Sequence, residues 1–145
     1  MRYLMLLQAN QASEAGMLPN PELLIAMNDY NQELIKAGIL LAADGLTPSS
    51  MGSRVKLSGE KRTVTDGPFT ESKELLGGYW MIQVKSKAEA IEWAKRVPNP
   101  AGEGECVIEI RRLWEAEDFA PAAADSPEAQ AVLEAEKAFR AGTKG

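Results

Sequence analysis

Apolar positions recur along this chain with two periods, one suited to strands and one to helices. In residues 2–8, Tyr3, Met5 and Leu7 fall on one parity and Leu4 and Leu6 on the other, which predicts a strand that is apolar on both faces. A polar loop follows, and then the period changes. Asn20 stands as a helix N-cap, Pro21 takes the first helical position and Glu22 suits the positive helix end. Leu23, Met27, Tyr30 and Leu34 recur at helical spacing until Gly38 stops the run. Ile39–Ala43 predicts a second strand, closed by Asp44-Gly45.

Beyond a Pro/Ser/Gly loop, Arg54–Leu57 and Arg62–Thr65 read as a hairpin turning at Ser58-Gly59-Glu60-Lys61. Asp66-Gly67-Pro68 breaks the chain sharply. Thr70 then caps one or two predicted helical turns through Leu76, stopped by Gly77-Gly78. In Tyr79–Val84, Trp80, Ile82 and Val84 alternate with Tyr79, Met81 and Gln83, a strong strand pattern. Ser86-Lys87-Ala88-Glu89 has the form of a capping box and opens a helix to about Arg96, with Pro98 just beyond. Cys106–Leu113 is the last predicted strand. Ala116–Asp125, rich in alanine and acid, reads as a tether to a final helix from Ser126 to near Gly142.

With the hairpin set aside, the order is strand, helix, strand, strand, helix, strand. That is the split βαβ, ferredoxin-like pattern of an α+β domain. Two helices cover one face of such a sheet, yet the first strand and Tyr79–Val84 are apolar on both. The second face therefore needs cover, and a second copy of the same sheet is the economical source. A homodimer is expected. The domain is expected over residues 1–119, with tether and helix over 120–145.

Composition narrows the chemistry. The chain has 145 residues, 45% of them hydrophobic, and a formal net charge of -5 with both signs interspersed. This suits one packed domain and an ordinary solubilising surface, and argues against nucleic-acid binding through a basic face. The apolar start, Tyr3 to Leu7, is too short for a signal-peptide core, and no stretch approaches a spanning helix. The expected location is the cytoplasm, with no membrane partner. The single cysteine forms no internal disulfide, and the histidine count is zero. Ser-His and Cys-His nucleophiles and the usual zinc sites are thereby excluded, and no cofactor or metal is expected. An oxygen-only magnesium or calcium site stays open.

The run Val64-Thr65-Asp66-Gly67-Pro68-Phe69-Thr70-Glu71-Ser72-Lys73-Glu74, followed by Leu76-Gly77-Gly78-Tyr79, closely resembles the signature of the DGPF branch of the YCII-related family. Met1-Arg2-Tyr3-Leu4-Met5-Leu6, Gly45-Leu46, Ala88-Glu89-Ala90 and Glu109-Ile110-Arg111 are similar to that family as well, so the resemblance spans roughly residues 1–119. It implies a ferredoxin-like sheet paired face to face in a dimeric α/β barrel. Members of the family have no generally established reaction; some relatives carry a His and Asp pair suggested to be catalytic, and the superfamily includes small-ligand isomerases and monooxygenases. Without histidine, the His half of that pair has no counterpart here. Family members are also encoded near, or fused to, extracytoplasmic-function sigma factors, which implies a regulatory alternative.

Two readings of Asp66 stand side by side. In one, its carboxylate accepts backbone N–H bonds and holds the turn, while Phe69 anchors the turn in the core. In the other, Asp66 is a catalytic carboxylate at a strand end, near Glu71, Lys73 and Glu74, able to share acid and base roles with a neighbour. Phe69, Glu74 and Tyr79 would bound that site, and Glu109 and Arg111 would reach in from the last strand. Tyr30 reads as core, Glu109 and Arg111 equally as an ion pair, and Cys106 as a small buried hydrophobe. Three functions follow: a small-molecule binder, with carboxylate-based proton transfer or lyase/isomerase chemistry; a non-catalytic regulatory module; or an accessory dimer.

Overall fold

The structure, a computed structural model, describes residues 1–69, 74–99 and 104–143. The chain divides into two compact units, Met1–Arg112 and Leu113–Gly145. In the first, β1 (Arg2–Gln8), β2 (Leu40–Gly45), β5 (Leu76–Gln83) and β6 (Ile108–Arg112) form a four-stranded sheet in the order β2-β5-β1-β6. Every neighbouring pair is antiparallel. With α2 (Pro21–Lys36) and α3 (Lys87–Ala94) as the intervening helices, this is the ferredoxin-like order. The hairpin β3 (Ser53–Ser58) and β4 (Lys61–Asp66) makes a separate two-stranded sheet.

The predicted helix signals act as read. Asn20 accepts the Leu23 amide at 2.8 Å, with Pro21 opening α2. Ser86 accepts the Glu89 amide at 3.2 Å, and the Glu89 carboxylate reaches back to the Lys85 amide rather than to Ser86. Both helices lie on one face of the sheet, where Tyr3, Met5, Trp80 and Ile82 meet Tyr30, Leu34 and Ala90 in the core. One helical element went unread in the polar loop: α1 (Gln11–Glu14), opened by a reciprocal Asn10–Ser13 capping box. Gly77 and Gly78 belong to β5 rather than to a helix stop. A methyl on Gly78 would stand 3.0 Å from the Asp44 carbonyl oxygen, so the close approach of β2 favours glycine there. The predicted turn from Thr70 lies, through residue 73, outside the described residues.

Tyr30 is a core residue. Its ring meets Trp80 edge-on with centroids 5.7 Å apart, and its hydroxyl donates to the Trp93 carbonyl at 2.8 Å, tying α2 to α3. Burial pushes the phenol up to about 12 from 10.0. Between those values the unfolded chain loses this proton and the folded chain keeps it, so stability is whole below about pH 10 and falls as pH rises toward about 12. Tyr30→Phe is expected to cost about 1 kcal/mol at neutral pH. In denaturant titrations repeated up that pH range, it should also flatten the alkaline loss seen in the parent. An unchanged alkaline slope would assign that loss to other groups.

In the second unit, the stretch read as a tether is helical from Ala116 to Ala123. A 3₁₀ turn (Ala116–Phe119) runs into α4 (Ala120–Ala123), and α5 (Pro127–Gly142) follows. Asp118 accepts the Glu115 amide at 2.8 Å, and Pro121 sits in a first helical turn where its missing N–H costs nothing. Alanine, neutral to the eye as linker composition, is the best helix former. Arg140 of α5 pairs with Glu115 at 3.0 Å and also with Glu136. Among the described residues, no helix is long and apolar enough to cross a membrane.

Candidate functional site

Asp66 closes β4 opposite Ser53, and its carboxylate accepts the Ser53 hydroxyl at 2.6 Å. The acceptor role expected of Asp66 is there, but the donor is a cross-strand hydroxyl instead of the amides just ahead. Gly67 follows with its N–H on the Gly52 carbonyl at 2.9 Å. A methyl group on Gly67 would lie 1.7 Å from the Ser49 carbonyl oxygen, so no larger residue fits. The Phe69 amide donates to Ser49 Oγ at 3.3 Å. Ser49 in turn gives its hydroxyl and its amide to the two oxygens of Glu14, at 2.6 and 3.1 Å. The turn is thus clasped to the 3₁₀ turn Ser49–Met51, and through Glu14 to α1. Phe69 is half-buried rather than a core anchor. Its ring lies under the Arg54 guanidinium, 3.9 Å from carbon to centroid.

The remaining candidates lie elsewhere. Strand register places two rungs on the sheet face away from α2 and α3: Ala42, Met81, Leu4 and Arg111, then Asp44, Tyr79, Leu6 and Glu109. The Tyr79 hydroxyl donates to Asp44 at 2.9 Å, not to Asp66. That hydrogen bond and the negative charge behind it raise the Tyr79 pKa. Arg111 and Glu109 face the side predicted for them and pair along their own strand at 3.3 Å, both well exposed. Such a pair contributes little to stability. Glu74 is exposed just before β5, while Glu71 and Lys73 lie outside the described residues. Asp66, Phe69 and Tyr79 therefore each hold a different partner: Ser53, Arg54 and Asp44.

A cavity of about 400 Å³ opens at the far end of β1. Leu23, Leu24 and Met27 of α2 line one side, and Ala12 and Ser13 of α1 another. Leu7, Gly77 and the exposed Met17-Leu18 loop close it further, and Pro98, Asn99, Glu105 and Cys106 contribute from the segment before β6. The backbone makes this space. β1 shifts register between Leu7 and Gln8, and the chain passes so near Gly77 that a methyl there would stand 3.3 Å from the Ala9 Cα. None of the six site residues predicted from sequence lines it. The signal that could have found it is the Asn10 cap, which together with the Asn20 cap brackets an apolar Met17-Leu18 that belongs to no strand or helix.

Most polar groups at the cavity are neutral. Asn10 and Asn20 give their carbonyl oxygens to the amides of Ser13 and Leu23, each at 2.8 Å, and Asn99 donates to the Gly104 carbonyl at 3.1 Å. Cys106 is an exposed rim residue instead of a buried one. Partial burial still pushes its thiol above the usual value, the direction that disfavours the nucleophilic thiolate. Among the described residues, no group of three or more Cys, Asp or Glu is placed to hold a metal ion. The arrangement can enclose an apolar molecule and hydrogen-bond it at a few points.

A protein-family model, the YCII-related domain, matches residues 1–117. The chain belongs to the YCII-related family. The family match takes in the whole sheet, the hairpin and every residue that lines the cavity, whereas α5 lies beyond it. An uncharacterised protein of Rhizobium meliloti (strain 1021) is 32% identical to this YCII-related chain over 73 residues, 50% of the chain. The match spans 59% of that relative's length. Among solved structures, 5-chloro-2-hydroxyhydroquinone dehydrochlorinase of Burkholderia phenoliruptrix, in complex with 2,5-dihydroxybenzoquinone, is 13% identical with a TM-score of 0.46. That likeness covers 81% of this chain and 98% of the other.

Proposed function

We propose that this YCII-related chain binds a small, largely apolar molecule in the cavity between α1, α2 and the segment before β6. The observation that carries the reading is the cavity itself. Its volume of about 400 Å³ falls within the range of small-molecule sites, and its walls are mainly aliphatic with a few neutral polar groups. The run Asp66-Gly67-Pro68-Phe69 favours the DGPF branch of the family. Its turn serves the site indirectly, by holding Ser49 and Glu14 and so the α1 wall. Among the described residues, the carboxylate that lines this cavity and could serve lyase or isomerase chemistry is Glu105, because Asp66 does not line it.

The same reading includes a homodimer closed by two sheet faces as an α/β barrel. Its support is the apolar middle of the face away from α2 and α3, Leu4, Leu6, Ala42 and Met81, with polar pairs toward both edges. A second copy of the same face is the cover that matches this surface in size and polarity.

The test is a filled cavity. Ala12 lines it from α1, and Ala12→Trp would put an indole into the space. A screen of apolar fragments by calorimetry should give binders to the parent that lose about tenfold or more in affinity to Ala12→Trp. Far-ultraviolet circular dichroism of the two proteins should match. Undiminished binding by a folded Ala12→Trp protein would place the ligand elsewhere.

A further inference from the structure

We infer that the cavity selects its ligand by charge, taking an uncharged or amine-bearing apolar molecule and refusing carboxylates and phosphates. The inference rests on the proposal that the cavity is a binding site. Among the described residues, no lysine or arginine lines it, and Glu105 is the one acidic side chain that does. The nearest cations along the chain, at the end of α3, are engaged: Lys95 with Glu92 at 2.7 Å, and Arg96 with Glu33 and over the Trp93 ring.

One feature could favour an anion, the start of α2, whose helix dipole is positive. Its charge is already opposed. Glu22 stands in that first turn, Asn20 accepts the Leu23 amide through its side chain, and the Leu24 amide bonds the Asn20 carbonyl at 3.1 Å. Glu14 of α1 adds a further negative charge nearby, engaged with Ser49. An anion entering this space would leave water for aliphatic walls, meet the Glu105 carboxylate and find no counter-charge. An ammonium would find Glu105, and an alcohol would find the neutral amides.

Size narrows the class. An apolar cavity of roughly 150 Å³ holds benzene, so this one suits molecules of about 10 to 20 non-hydrogen atoms. Three matched naphthalenes test the charge rule: one bearing a hydroxymethyl group, one an aminomethyl group and one a carboxylate. Their affinities for the full-length protein are to be measured by calorimetry at neutral pH and low salt. The amine should bind tightest and the carboxylate about tenfold or more below the alcohol. Glu105→Gln should bring the amine-to-alcohol ratio to about one, and added salt should shrink the same ratio in the parent. A carboxylate that binds as well as the alcohol, yet is displaced by Ala12→Trp, would overturn charge selection and leave the cavity as the site. Binding of none of the three, or equal binding of all three by Ala12→Trp, would overturn both.

Discussion

Gly67→Ala is expected to destabilise the first unit by about 2–4 kcal/mol, far more than any change of charge at Asp66 beside it. The added methyl would stand 1.7 Å from the Ser49 carbonyl oxygen, a backbone atom that no side-chain rotation can move. Relief requires the hairpin base to part from the 3₁₀ turn. That separation breaks the Gly67–Gly52 hydrogen bond and the Phe69–Ser49 bond, and it loosens the grip of Ser49 on Glu14. Asp66→Asn provides the contrast. An amide oxygen can still accept the Ser53 hydroxyl, so the cost should stay under about 1 kcal/mol. Urea denaturation of the three proteins, read by tryptophan fluorescence, would measure both. A Gly67→Ala protein within about 0.5 kcal/mol of the parent would show that the turn does not press on Ser49 in solution.

Met81→Asp is expected to convert a homodimer into monomers. Met81 sits mid-rung between Ala42 and Leu4 on the face away from α2 and α3. A two-fold interface would bury the new carboxylate twice, without a counter-charge, at a cost of several kcal/mol per protomer. Light scattering at micromolar concentration should give about twice the chain mass for the parent and the single-chain mass for the variant. Most of the cost should fall on association, because Met81 is only partly buried in the single chain. A parent that runs as a monodisperse monomer, or a Met81→Asp protein that stays dimeric, would remove the face-to-face barrel from the proposal.

The element order and the faces of each strand were legible in the sequence because both are local. Parity alone sent Ile108 and Ile110 to the helices and Glu109 and Arg111 to the opposite face, as the register with β1 shows. Helical period and caps likewise placed Tyr30 and Leu34 in the core. The site was another matter. Asp66, Tyr79 and Glu109 look like one cluster only while the sheet is unspecified, and the register assigns Tyr79 to Asp44, 35 residues away, instead. Composition misled at Ala116–Ala123, where an alanine-rich segment reads as linker until the Glu115–Asp118 cap starts a helix.

Sequence periodicity thus determined the sheet strands, the two helices packed on them and which side of each turns to the core, since burial alternates with the intrinsic geometry of strand and helix. Tertiary structure alone decided which side chains meet and where space remains. The cavity exists because a register shift at Leu7/Gln8, a close pass at Gly77 and the Met17-Leu18 loop coincide in space. A void is a property of atoms distant in sequence failing to fill the same volume, and no single segment carries that information.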